Sequence, residues 1–165
     1  MLRRLVTLCT HIKRRVMFDI IKSRISKTVP FARHAGVELT SVGDGIATAK
    51  LDQTKVSINH IGSQHAGALF TLGETVSGGA LAGALAPIIL KVKPIASGAR
   101  INYLKLAKGL IEATATTSLS YSDLLRRLES EGYVNFSVTV DMTNTEGVKV
   151  ADMIVDWNVK MKPSS

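Results

Sequence analysis

The chain has 165 residues, 45% hydrophobic and 21% charged, which suits one domain able to bury roughly two thirds of its unfolded surface. Its net charge of +8 is unevenly placed: residues 1–30 hold eight Lys/Arg against Asp19 alone, while the remainder holds thirteen basic and twelve acidic side chains. A near-neutral body without interleaved basic and aromatic residues argues against nucleic-acid binding, and a lone cysteine, Cys9, excludes an internal disulfide and fits a reducing, cytoplasmic setting.

The first 29 residues read as a basic amphipathic helix closed by Pro30, with Leu5, Leu8, Ile12, Val16, Ile20 and Ile21 near helical spacing. The expected placement is against the chain's own body with the basic face in solvent. A membrane-surface anchor and a targeting presequence are the alternatives. This divides the chain into residues 1–30, the basic helix, and residues 31–165, the main domain. Cys9 reads as apolar filler. Next, "GVELTSVGDGIATAKL" (36–51) is two short strands around Gly43-Asp44-Gly45, a hairpin signal. A polar stretch runs to Asn59.

From Ala66 to Leu90 the only charge is Glu74. The run is long enough to span a bilayer, but its five glycines and central carboxylate favour a buried core helix, from about Gln64 to Leu85. Strand follows within 88–107, a turn at Lys108-Gly109, and alternating "LIEATATTS" (110–118). "SDLLRRLESEG" (122–132) is a short helix with Ser122 as N-cap and Gly132 as its stop. Val134, Phe136, Val138 and Val140 share one face of the next strand, and Val148 to Met161 is the last. Two strands, a long helix and about four more strands give an α+β domain, an antiparallel sheet packed on one helix.

The question this pattern poses is why a small-residue helix carries one carboxylate. Gly67, Phe70, Thr71, Gly78 and Leu81 fall near the Glu74 side, so Glu74 should face a lined cavity. The free N–H groups at the helix start, near Ala66 and Gly67, suit an oxyanion, and Glu74 suits a base or nucleophile. Eight residues separate Ala66 from Glu74, roughly 12 Å along the axis. One helix cannot bring both to one carbonyl. A second copy could, which suggests a two-fold dimer sharing its active sites.

The segment Asn59-His-Ile-Gly62-Ser-Gln-His65-Ala-Gly67, with Glu74 nine residues after His65, resembles the signature of hotdog-fold thioesterases of the phenylacetate-degradation type. "INYLKLAKG" (101–109) resembles the strand that follows the helix in that family. The resemblance implies a hotdog fold, with about six antiparallel strands wrapped around the helix, dimers sharing one continuous sheet, and acyl-CoA as substrate. It implies that Glu74 attacks the thioester carbonyl or activates water, that the Ala66 N–H holds the oxyanion beside Gly67, and that His65 and Asn59 position the thioester. Two positions depart from the family. Ala66 replaces the first glycine after the histidine. Ala96 stands where some members carry a water-orienting serine, with Ser97 beside it on the opposite face of a regular strand. The 122–132 helix is a further insertion, as in some uncharacterised relatives.

Lys91, Lys93, Arg100 and Lys105 are candidates for the coenzyme A phosphates. "SGGALAGALA" (77–86) reads as close packing, with an acyl tunnel as the alternative. His60 reads as a loop residue, His11 and His34 are unpaired, and no His/Cys/Asp/Glu spacing suggests a metal. The expected function is a cofactor-free acyl-CoA thioesterase acting as a dimer or dimer of dimers. The alternatives are a non-catalytic acyl or acyl-CoA binding module and, less fitting, a hydroxyacyl dehydratase.

Overall fold

A computed structural model describes the backbone of residues 2–163 and the side chains from Lys13 onward. The sequence readings at Leu5, Leu8, Cys9, His11 and Ile12 concern side chains outside that description. The elements run α1 (Leu2–Thr28), α2 (Pro30–Ala35), β1 (Val37–Val42), β2 (Ile46–Leu51), α3 (Ala66–Ala84), the 3-10 helix η1 (Ala86–Lys91), β3 (Val92–Tyr103), β4 (Ile111–Thr117), α4 (Tyr121–Glu131), β5 (Tyr133–Asn144) and β6 (Lys149–Met161). Pro30 stops α1 because its ring disfavours a helical residue before it; it then opens α2 as a first-turn proline. Helix α4 is capped by Ser120, not Ser122, its hydroxyl accepting the Asp123 N–H at 3.2 Å. Gly132 ends it in the left-handed region, at φ 74°.

All six strands join one antiparallel sheet in the order β1-β2-β4-β5-β6-β3. Period-two burial explains the sheet's inner face: Val134, Phe136, Val138, Val140 and Met142 of β5 and Ala151, Met153, Val155, Trp157 and Val159 of β6 are buried. They close on Leu69, Leu72, Val76, Ala80 and Leu81 of α3 in one core. Helix α3 is a core helix as its composition implies, and among the described residues no helix is long and apolar enough to cross a membrane.

The small residues of α3 let strands approach. A side chain at Gly79 would press on Leu39 and Ala47, and one at Gly83 would collide with the Gly43 carbonyl oxygen. Gly73 lies against Met142 and Met153. Only Gly78 has ordinary room, beside the Trp157 ring. Most of the 77–86 stripe therefore serves packing. Helix α1 lies across β1, the C-terminal end of α3 and η1, where Ile21 packs on Ala82 and Ala86. Arg14 pairs with Asp44 of the β1–β2 turn at 2.5 Å.

Gly83→Ala should destabilise the fold by about 2 kcal/mol or more, because backbone rather than a flexible side chain must yield. Gly78→Ala should cost less than about 0.5 kcal/mol. Urea unfolding of both variants checks the contrast.

Candidate active site

The loop from Asp52 to His65 delivers the start of α3, and the motif residues first build that loop. The Asn59 side-chain oxygen accepts the N–H groups of Ile61 and Ser63, each at 3.1 Å, and its amide donates to Ser63 Oγ at 2.9 Å. Gly62 takes φ 73°, a left-handed conformation that glycine adopts without strain, and its N–H closes the turn on the Asn59 carbonyl. Gln64, which sequence reasoning passed over, anchors the other end. It is 3% exposed, and its side-chain amide donates to the carbonyls of Leu51 and Gly109, at 3.3 and 3.0 Å. Its backbone N–H donates to Ala107. No spacing rule marks a glutamine whose partners lie on β2 and beyond β3.

His65 is the N-cap of α3, and its Nδ1 accepts the Gly67 N–H at 2.9 Å. A neutral imidazole bonded this way carries its proton on Nε2. The Gly67 N–H is thereby consumed, contrary to the expectation of two free groups at the helix start. Ala68 and Leu69 donate to the His65 carbonyl. The Ala66 N–H has no acceptor among the described residues and lies at an exposed position. It is the uncommitted donor at the positive end of the helix dipole. Tyr103 of β3 reaches this end and donates its hydroxyl to the Ala66 carbonyl at 3.0 Å. Burial raises the phenol's pKa, so the group stays protonated and donating.

Glu74 lies two turns further along. The sheet encloses α3 except along Gly67, Phe70, Glu74 and Gly78, which are exposed or half-buried and stack at helical spacing. The Glu74 carboxylate forms no hydrogen bond or ion pair among the described residues. Burial without a compensating charge pushes its pKa up from the ordinary carboxylate value.

Beside this face runs β3, the sheet's edge. It is twelve residues long and exposed over most of its length. Its register departs from a regular strand at Ser97, a bulge between Ala96 and Gly98 where the Ser97 hydroxyl donates to the Asp156 carbonyl at 3.1 Å. Ala96 pairs with buried Trp157 and so faces α3. Beyond the extra residue, Ala99, Ile101 and Tyr103 take that face through their partners Val155, Met153 and Ala151.

The four basic candidates do not gather. Lys93 and Arg100 point to the outer face of the sheet, by their pairing with Lys160 and Ile154. Lys91 and Lys105 flank opposite ends of β3, a strand roughly 36 Å long. Lys105 is the one beside the start of α3, two residues past Tyr103. His60 and His34 are exposed. Among the described residues no three His, Cys, Asp or Glu side chains gather as a metal site would require.

A long helix enclosed by a six-stranded antiparallel sheet is the hotdog fold, and solved structures agree. One is a protein of unknown function from Pseudomonas aeruginosa, described as a probable thioesterase: 23% identical, covering 87% of this chain and 95% of its own, with a TM-score of 0.74. A hypothetical thioesterase from Streptococcus pneumoniae, solved with coenzyme A, is 24% identical over 84% of this chain and 99% of its own, at 0.62. The E. coli PaaI protein, from the phenylacetic acid degradation operon, is 21% identical over 76% and 85%, at 0.59. At these identities the likeness establishes the fold. Residues 19–159 match the DUF4442 family, described as a domain of unknown function, and the chain belongs to that family. No protein of curated function matches it.

A carboxyl whose pKa is raised on folding binds its proton more tightly in the folded state. Between the unfolded and folded pKa values the native protein holds more protons, and stability falls as pH rises through that window. Glu74→Gln should therefore melt at or above the wild-type temperature at neutral pH, with the gap closing as pH drops toward the unfolded carboxylate value. Thermal melts across that range measure it.

Proposed function

We propose that this protein hydrolyses acyl-CoA thioesters, as a dimer in which each active site takes its carboxylate from one chain and its oxyanion donor from the other. The observation that carries the reading is a pair of uncommitted groups on one open helix face. The Glu74 carboxylate lacks a partner among the described residues, and the Ala66 N–H lacks an acceptor among them. They lie eight residues apart, roughly 12 Å along the axis, beyond reach of one carbonyl.

A partner is favoured by the surroundings. The unpaired edge of β3 offers a row of backbone donors and acceptors to a second strand. Val56, Ile58, Ile61, Phe70, Leu104 and Leu106 are exposed around the start of α3, an apolar patch of the kind that marks association. The thioesterase descriptions of the structural neighbours, and the coenzyme A complex of one, support the substrate class.

In this reading the thioester oxygen sits on the Ala66 N–H, where the helix dipole stabilises the charge that develops on it. Glu74 acts on the carbonyl carbon either by taking a proton from the water that attacks it, or by attacking it to form an acyl-glutamyl anhydride that water then cleaves to the carboxylic acid and free Glu74. The C–S bond breaks and the coenzyme A thiolate leaves to take up a proton. Water and the thioester are the only reactants. Asn59 contributes by holding the loop, Tyr103 by fixing the helix start, and His65 by removing the competing Gly67 donor. Lys105 is the cation best placed for a phosphate.

Free-thiol release over short, medium, long and aromatic acyl-CoAs tests the activity. Glu74→Gln should lose about 10²–10⁴-fold in kcat while still binding substrate. Acyl-CoA binding without thiol release from the wild type would establish the non-catalytic alternative instead. The acidic limb of kcat/KM should lie above the ordinary carboxylate range, as the raised Glu74 pKa requires of a group active when ionised.

Ala66→Pro offers a second test. Proline is tolerated at the first helical position and His65 is already extended, at φ −68° and ψ 140°, so the variant should fold yet lose about 10²–10³-fold in kcat for want of the N–H. Mixing subunits of the two inactive variants should restore about a quarter of wild-type activity, since half the dimers are mixed and each holds one intact site. No recovery on proven subunit exchange would sink the shared site.

A further inference from the structure

Helix α1 buries one apolar face and exposes another. Phe18, Ile21 and Ile25 turn inward against the body. On a different arc, Lys13, Val16, Ile20, Arg24 and Lys27 follow at helical spacing within about 80° of one another. Val16 is 52% exposed and Ile20 60%. Across a groove of about 570 Å³, η1 presents Leu90, 68% exposed, with Lys91 next to it. The groove wall is aliphatic, its rim carries Lys13, Arg24 and Lys91, and no carboxylate lines it.

We propose that this face of α1 and η1 docks on the surface of an anionic lipid bilayer, with Val16, Ile20 and Leu90 entering the headgroup boundary and the lysines and arginines resting on lipid phosphates. Three observations select this occupant. The apolar side chains are framed by Lys13, Arg24, Lys27 and Lys91 against the single acid Asp19, a cation excess that fits a helix lying in an anionic membrane interface. The charge is spread along an element: α1 carries eight Lys/Arg and one acid over 27 residues, about 40 Å of helix, an extent that fits a surface better than a small anion. Arg14 is taken by Asp44 and Lys22 by the Thr40 carbonyl, but Lys13, Arg24 and Lys27 form no ion pair among the described residues. A second copy of the chain would meet like charge with like. Nucleic acid would find Val16 and Ile20, not stacking rings, at the centre. The inference stands apart from the proposed hydrolysis and uses none of its residues.

The test is co-sedimentation of the full chain with vesicles of phosphatidylcholine alone and of phosphatidylcholine with one third phosphatidylglycerol. The expected result is binding to the anionic vesicles only, weakened by added salt. The pair Val16→Glu and Ile20→Glu should lower the partition coefficient at least about tenfold, through lost apolar burial and added repulsion. Lys13→Glu with Arg24→Glu should do the same by charge, each cation near an anionic leaflet being worth about fivefold. All four positions are exposed or half-buried, and unchanged thermal melts establish that the variants fold. Equal binding to neutral vesicles, or wild-type binding by either double variant, overturns the proposal. So does retention on duplex DNA at the same salt that ignores Val16→Glu and Ile20→Glu, which would make the face a general polyanion binder.

Discussion

Close approach between α3 and the sheet is what the rest of the structure depends on. Gly83 lets the Gly43 carbonyl into van der Waals range, Gly79 admits Leu39 and Ala47, and Gly73 admits the two methionines. Strands can therefore curl around the helix until one narrow face remains. That face holds Glu74. The same geometry desolvates the carboxylate and leaves it without an ion pair among the described residues, which is why its proton affinity rises. A charged group so placed costs stability, and a site that must polarise a carbonyl is where such a cost is commonly found.

The helix start shows a division of labour among adjacent groups. Asn59 and Gly62 build a turn, Gln64 ties it to β2 and the loop before β4, and His65 caps Gly67. These bonds hold the last peptide before the helix with its N–H outward. Tyr103 then donates to the first helical carbonyl from β3, tying the edge strand to the helix start. Any group bound at the Ala66 N–H would meet a donor already oriented by these bonds, and a pre-oriented donor stabilises developing charge better than a mobile one.

Helix α1 packs on the C-terminal end of α3 through Ile21, and in doing so turns a second apolar stripe outward. Nearly all of the protein's net charge resides on this one element. The body and the helix thus differ in electrostatic character while sharing a small cluster around Ile21 and Ala82.

Local periodicity carried much of this into view. The lone carboxylate among small apolar residues marked a core helix, and alternation in 134–142 marked a strand buried on one face, because both patterns depend on neighbours within a few positions. The spacing of Asn59, Gly62, His65, Gly67 and Glu74 located the candidate site. What tertiary structure alone decided were the partners. One extra residue at Ser97 shifts the alternation of β3, so Tyr103 rather than Asn102 faces the helix and Arg100 turns outward; nothing in the composition of that stretch marks a bulge. The Asn59 amide is committed to the loop, and of two N–H groups at the helix start only Ala66 is left free among the described residues. Sequence sets what each segment can bury and how it turns, while the commitment of a donor or the facing of an edge side chain depends on atoms that only folding brings within reach.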